Sequence, residues 1–323
     1  MNTSLRLLLT GFVLVLLGQS GLARADYPDK PVKLIVPYSP GGPADLFGRF
    51  VAQKMSVAWG QQVIIENKPG AGLNVGANLV ARAAPDGYTL LLGAASMFVD
   101  TGSGRSPAEN LKELIPVSLV GSLPLVLVAS NLLPARSVRD VIALAKAKPG
   151  TLNFGSSGNG SLTHMAGALF VTLTSTDLVH VPYRGINEAL IDVAAGRVQL
   201  SFAGAPIALP LVKSGTLRAL AVTGSQRSVV APELPTIAES GLPGYDVTPW
   251  YGVMAPAGTP SAVIARLHRE IVEVMKSAEV QEKWKGWGAD NNYSKTPEEF
   301  GAVMKVEAAK WDRVIKEGRI KLN

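Results

Sequence analysis

From residue 33 onward, short β-rich apolar runs alternate with stretches whose apolar residues recur at helical spacing. That alternation calls for parallel sheets flanked by helices. The expected first unit is a strand over 33–38, the loop SPGGPAD over 39–45 and a helix to about residue 59. Phe47, Val51 and Met55 share one face of that helix, and Gly60 ends it. A strand over 62–66, the Gly-rich PGAGLNVG, a helix through residue 84 and a strand over 88–92 then complete half of a doubly wound domain.

After a polar loop over 101–110 comes a strand over 125–129, and from Ser137, a plausible helix N-cap, the alternation restarts. Strands over 152–156, 178–183, 199–202 and 217–222 alternate with helices near 162–174, 187–195 and 206–214. A strand over 247–254 leads to helices near 261–285 and 297–317. The second of these opens with the capping box Thr296, Pro297, Glu299. Two helices without strands cannot form a third domain, so they are expected on the first. The expected fold class is α/β, with two doubly wound domains joined by a two-stranded hinge near Leu125 and Trp250. Domain 1 takes 26–124 and 249–323, and domain 2 takes 125–248.

Arg6, the apolar run over 7–17 and Ala23-Arg24-Ala25 read as a signal peptide cleaved after Ala25, directing a periplasmic location. The apolar run falls short of the roughly 20 residues that cross a bilayer. Without that leader the net charge is about +4 rather than +6. Neither a Lys/Arg stripe nor interleaved aromatics supports nucleic-acid binding. With no cysteine, disulfides, thiolate metal sites and a Cys nucleophile are excluded.

The glycines of PGAGLNVG fall at G-x-G-x-x-x-G spacing, and the next strand ends Leu92-Gly93-Ala94-Ala95, without the acid that would hold a ribose. A G-x-S-x-G elbow is absent, and His164, His180 and His268 have no metal-ligand spacing, so neither catalysis nor a metal is expected. Two strand-to-helix loops remain. Ser39, Pro40, Gly41, Gly42, Pro43, Ala44 and Asp45 form one; Ser156, Ser157, Gly158, Asn159, Gly160 and Ser161 form the other. Each could be a mere turn. A helix start also exposes unpaired N–H groups and the positive end of the dipole, and a pair of such loops suits an anion in a shared crevice.

KLIVPYSPGGPAD, IIENKPGAG, APDGYTLLLG, NFGSSGNGS, VHVPYRG, LRALAVTG, LPTIAESGLPGY and APAGTP, in that order, resemble the Bug-type receptors. These are the extracytoplasmic binding proteins of tripartite tricarboxylate transporters. The resemblance implies a type II periplasmic binding protein fold that closes on a small carboxylate, without a cofactor, and delivers it to membrane permease subunits as a monomer. It also implies that Gly41, Gly42 and Ala44, with Tyr38 and Asp45, bind a carboxylate through backbone amides and water. Ser157, Asn159, Ser161 and Thr163 add donors from the other domain. Ser96, Tyr183, Ala203 and Gly204 complete the expected site. Many members carry an acid where this chain has Ala203-Gly204, which disfavours an amino-acid ligand and leaves a dicarboxylate or an aromatic carboxylate. Tyr38, Phe98, Phe202 and Trp250 could wall an aromatic ligand or simply be core. A sensor docking on a signalling receptor and an enzyme on the same frame stay open as rival functions.

Overall fold

A computed structural model describes residues 27–41, 43–70, 73–99 and 107–316, so the expected signal peptide lies outside the described residues. In chain order come β1 (Val32–Val36), α1 (Pro43–Trp59), β2 (Val63–Asn67), α2 (Asn74–Ala81), β3 (Thr89–Ala94), α3 (Pro107–Glu113), β4 (Leu114–Ser122) and β5 (Leu125–Ser130). There follow α4 (Val138–Ala147), β6 (Leu152–Ser156), α5 (Leu162–Thr174), β7 (Leu178–Pro182), α6 (Ile186–Ala194), β8 (Leu200–Gly204), α7 (Ala205–Lys213) and β9 (Leu217–Val222). The chain ends in β10 (Trp250–Pro256), α8 (Ser261–Lys276), α9 (Ala278–Gly286), β11 (Asp290–Tyr293) and α10 (Pro297–Lys316).

These strands build two sheets, ordered β11-β4-β10-β3-β1-β2 and β7-β6-β8-β5-β9. In the first, β1 lies parallel to β2 and β3, the right pairing for strands joined by crossover helices. Phe47, Val51 and Met55 of α1 pack with Leu267 and Ile271 of α8 and Trp284 of α9 on one face. Ala77 and Val80 of α2 pack with Phe300, Met304 and Trp311 of α10 on the other. The C-terminal helices therefore cover the first sheet, and the strand between them joins its edge. The second sheet buries Val138, Met165 and Phe170 on one side and Leu190, Val193 and Ala208 on the other.

Several details differ from the sequence reading, beginning with α3, which starts at Pro107 inside the stretch expected as a polar loop. Nine-residue β4 lies between β10 and β11, although Pro116 and Gly121 make its sequence look like a loop; its register with β10 shifts twice. The polar edge strand β11, Asp-Asn-Asn-Tyr, is equally unexpected. The long helix over 261–285 is two helices, broken at Ser277, whose extended backbone lets its Oγ accept from the Val280 amide. At α10, Thr296 Oγ1 accepts from the Glu299 amide, but the Glu299 carboxylate reaches back to the Lys295 amide, one residue beyond the box.

Two passages of chain connect the sheets, between β4 and β5 and between β9 and β10. They run bonded to each other: the Leu123 amide donates to Pro249 O at 2.9 Å, and the Thr223 amide to Leu125 O at 3.0 Å. Thr223 Oγ1 adds a bond to Val247 O at 2.7 Å. Beside this crossing, β10 lies against α10 so closely that a Cβ at Gly252 would sit 2.2 Å from the Phe300 ring. Gly252→Ala should therefore cost about 1–3 kcal/mol through overpacking. Gly286→Ala, with open space around it in α9, should be neutral or stabilise by up to about 1 kcal/mol. Urea unfolding midpoints check both; equal midpoints would show that Phe300 yields freely.

Candidate functional site

The first loop is held from behind by a buried acid. Asp45, only 2% exposed, accepts the Gly41 amide at 2.9 Å, Arg49 Nε at 2.8 Å and Asn67 Nδ2 at 2.8 Å. Burial acts to raise this carboxyl, but the bonds from Arg49, Gly41 and Asn67 together outweigh it and hold it below the usual carboxylate range. Asn67 also donates to Tyr38 O at 3.0 Å, tying the end of β1 to the end of β2. Gly41 turns the chain at φ 85, a left-handed conformation that a side chain would strain. Ser39, Pro40 and Gly41 are exposed and Ala44 is buried, while Gly42 lies outside the described residues. Pro43 opens α1. Asp45 thus shapes the loop, and the Gly41 amide is already used in doing so.

Tyr38 and Ser96 meet at the sheet's carboxyl edge, their hydroxyls 3.0 Å apart. Burial pushes the Tyr38 phenol up to about 12, so it stays a neutral hydroxyl at any ordinary pH.

The second loop closes around Thr163. Its Oγ1 accepts the Ser157 amide at 2.9 Å and lies 2.9 Å from both Ser157 Oγ and Ser161 Oγ. Ser161, the N-cap of α5, accepts the His164 amide and donates its own proton to Gly158 O at 2.7 Å. With the Ser161 proton so placed, Thr163 can donate to Ser161, and the Ser157 hydroxyl is the one able to turn its proton toward a ligand oxygen. Asn159 stands exposed at the tip. The first-turn amides of Leu162 and Thr163 have no acceptor within the helix and present the positive end of its dipole.

Beneath this loop lies a pair the sequence reading did not assemble. The rings of His164 and His180 stack 3.8 Å apart at 6°, and His180 also stacks on Phe154. His164 Nδ1 accepts the Gly160 amide at 3.1 Å, and His180 Nε2 lies 2.6 Å from Ser156 Oγ, which itself accepts the Gly158 amide. Two neutral imidazoles therefore anchor the glycines. Burial lowers both to about 4, with the charge of His180 adding to the effect on His164.

Of the remaining expected residues, Tyr183 adjoins the second loop through its amide, which donates to Ser156 O at 3.1 Å. The Tyr183 hydroxyl donates to Asp192 of α6 at 2.6 Å, and burial together with that carboxylate pushes it up to about 12. Ala203 is fully buried in β8 among the core of the second sheet, so its methyl faces no cleft, whereas Gly204 is half-exposed at the start of α7. Three of the four aromatic walls resolve as core: Phe98, Phe202 and Trp250 are buried, while Tyr38 is half-buried. Phe98 and Phe300 pack on Trp250, and Phe202 packs against Phe154 and Phe170. Among the described residues no group of three or more acidic, His or Cys side chains could hold a metal, and no helix is long and apolar enough to cross a membrane.

Two mixed α/β sheets linked by paired crossings, each offering a glycine loop and a helix start, define a type II periplasmic binding protein fold. The chain belongs to the tripartite tricarboxylate transporter family receptors, whose description matches residues 47–320. It is 36% identical to protein BugT of Bordetella pertussis over 326 residues, spanning 100% of both chains. A solved protein of R. palustris with adipate shares 34% identity, with a TM-score of 0.75 over 90% of this chain and 98% of that one. MatC from Rhodopseudomonas palustris with bound malate shares 28%, with a TM-score of 0.72 over 90% and 100%.

The histidine pair makes stability depend on pH. The unfolded chain protonates each imidazole near 6.5, while the folded chain keeps both neutral down to about 4. In that window the unfolded state binds more protons, so stability rises with pH from about 4 and levels off above about 6.5. Thermal midpoints should follow this course, and His180→Gln, which keeps a partner for Ser156 but cannot titrate, should reduce the rise by about half, since His164 still titrates. An identical slope in the variant would count against this origin.

Proposed function

We propose that this protein is a periplasmic receptor that binds a small organic carboxylate without transforming it and hands it to the permease subunits of a tripartite tricarboxylate transporter. Export follows the leader ending at Ala25. Residues 26–124 with 249–323 move as one lobe and 125–248 as the other, closing about the bonded crossings as the ligand enters. The observation that carries this reading is the matched design of the two loops. Each follows a strand into a helix, and each is stiffened from behind by its own polar residues, Asp45 in one and Thr163 in the other. Rigid donors need no reordering on binding, so more of each hydrogen bond appears as affinity.

A hydrogen bond to a charged group contributes roughly 1.5–3 kcal/mol, while micromolar affinity requires about 8 kcal/mol. One loop alone is thus marginal, and an acid engaging both is favoured. A carboxylate lodged between the two loops meets that need, and a second acid group on the ligand adds a further anchor, in keeping with the adipate and malate held by two similar proteins. An α-ammonium would find no acid at Gly204, the half-exposed end of β8, and would be buried unpaired.

Calorimetry of the purified chain against succinate, adipate, malate and glutamate tests the reading. At least one diacid should bind saturably and be recovered unchanged, and small-angle scattering should show a smaller radius of gyration on saturation. Thr163→Val, close in shape but without the hydroxyl, should weaken binding about tenfold or more. Turnover of a bound acid, tighter binding of glutamate than of every diacid, or full affinity in Thr163→Val would overturn it.

A further inference from the structure

A crevice of about 390 Å³ opens between the two lobes, its walls beginning just after Asp45 on one side and just after Gly204 on the other. On one side stand Leu46 and Phe47, the residues immediately after Asp45; on the other, α7 contributes Pro206 and Leu209, just beyond Gly204. Trp287, from the turn after α9, packs on Phe47 with ring centroids 5.7 Å apart and lines the crevice as well. The next residue, Gly288, brings that turn within touching distance of the second lobe, since a Cβ there would lie 3.3 Å from Pro206. Leu46 remains 43% exposed. The lining is almost entirely hydrocarbon, and Lys285 is its single ionisable side chain among the described residues.

Its size falls within the roughly 300–1,000 Å³ of small-molecule sites. A permanently empty apolar crevice at this place would leave Leu46 and Trp287 facing water, whereas a hydrocarbon chain laid across them would remove that exposure. The crevice follows the first loop directly at Leu46 and meets the second lobe just past Gly204 at the end of β8, and a cation at its rim complements an anionic far end.

We propose that this crevice is the subsite for the hydrocarbon body of the bound acid, whose first carboxylate lies between the two loops while Lys285 meets the second at its far end. The receptor then selects extended dicarboxylates over compact hydroxy acids. This rests on the carboxylate-receptor reading and names its substrate class. The aromatic walls expected at Phe98, Phe202 and Trp250 are replaced by Leu46, Leu209 and Trp287.

Calorimetry of the full exported chain with succinate, adipate and suberate, and with malate and octanoate, tests it. Affinity should rise along the diacid series by about fourfold for each methylene buried, equivalent to ~0.8 kcal/mol, and suberate should bind more tightly than malate. Leu46→Ser, at an exposed position that tolerates polarity, should flatten the series. Lys285→Gln should weaken suberate more than octanoate. A flat or falling series with succinate still bound, or a slope unchanged in Leu46→Ser, overturns the crevice alone. Equal effects of Lys285→Gln on suberate and octanoate remove Lys285 from it. Failure of every acid to bind removes the receptor reading, and this inference with it.

Discussion

The two chain passages between the sheets are bonded to each other, and that bonding is the constraint on which the remaining geometry depends. Leu123 with Pro249, and Leu125 with Thr223, make a short ladder out of what would otherwise be two independent tethers. A single tether leaves two bodies free to twist; a bonded pair restricts them to bending across the ladder. The ladder is braced where it enters the first sheet. Trp250 is buried between Phe98 and Phe300, and its Nε1 faces the Glu307 carboxylate. Burial raises that carboxyl, and Lys310 at 2.9 Å opposes the rise. Lys310 also donates to Asp246 O, so α10 grips the second passage as well as the first sheet.

Both loops at the cleft solve one problem. A glycine turn that can approach an anion closely is entropically loose, and a loose turn gives up affinity when it orders. In the first lobe a buried carboxylate, kept ionised by Arg49 and Asn67, fixes Gly41. In the second, a threonine hydroxyl and two stacked imidazoles fix Ser157, Gly158 and Gly160. The side chains that look most like ligand contacts are largely turned inward, toward the backbone they hold.

Elements with a clean period were legible from the residues alone. The helix α5 and strand β9 fall at the expected limits, and the glycine loops were found because Gly, Ser and Asn before a helix have a local meaning. What escaped depends on partners distant in sequence. Nothing local marks β4 as a central strand, since Pro116 is tolerated only because of the irregular register with β10. The polar β11 forms a strand because β4 offers an edge. The inward roles of Asp45 and Thr163, the stacking of His164 on His180, and the burial of Phe98, Phe202 and Trp250 are all set by packing that residue type does not report.

The order of strands in the first sheet also sets an order of events when the chain emerges. The second sheet draws on one continuous stretch, β5 to β9, and can close as soon as that stretch is free. In the first sheet, β4 pairs only with β10 and β11, the last two strands to appear. Through the emergence of more than a hundred residues, β4 is therefore a long strand with both edges open, the kind of segment that pairs with the wrong chain. Only the arrival of β10 and β11 closes those edges, so the exposure of β4 lasts as long as the chain between them takes to emerge.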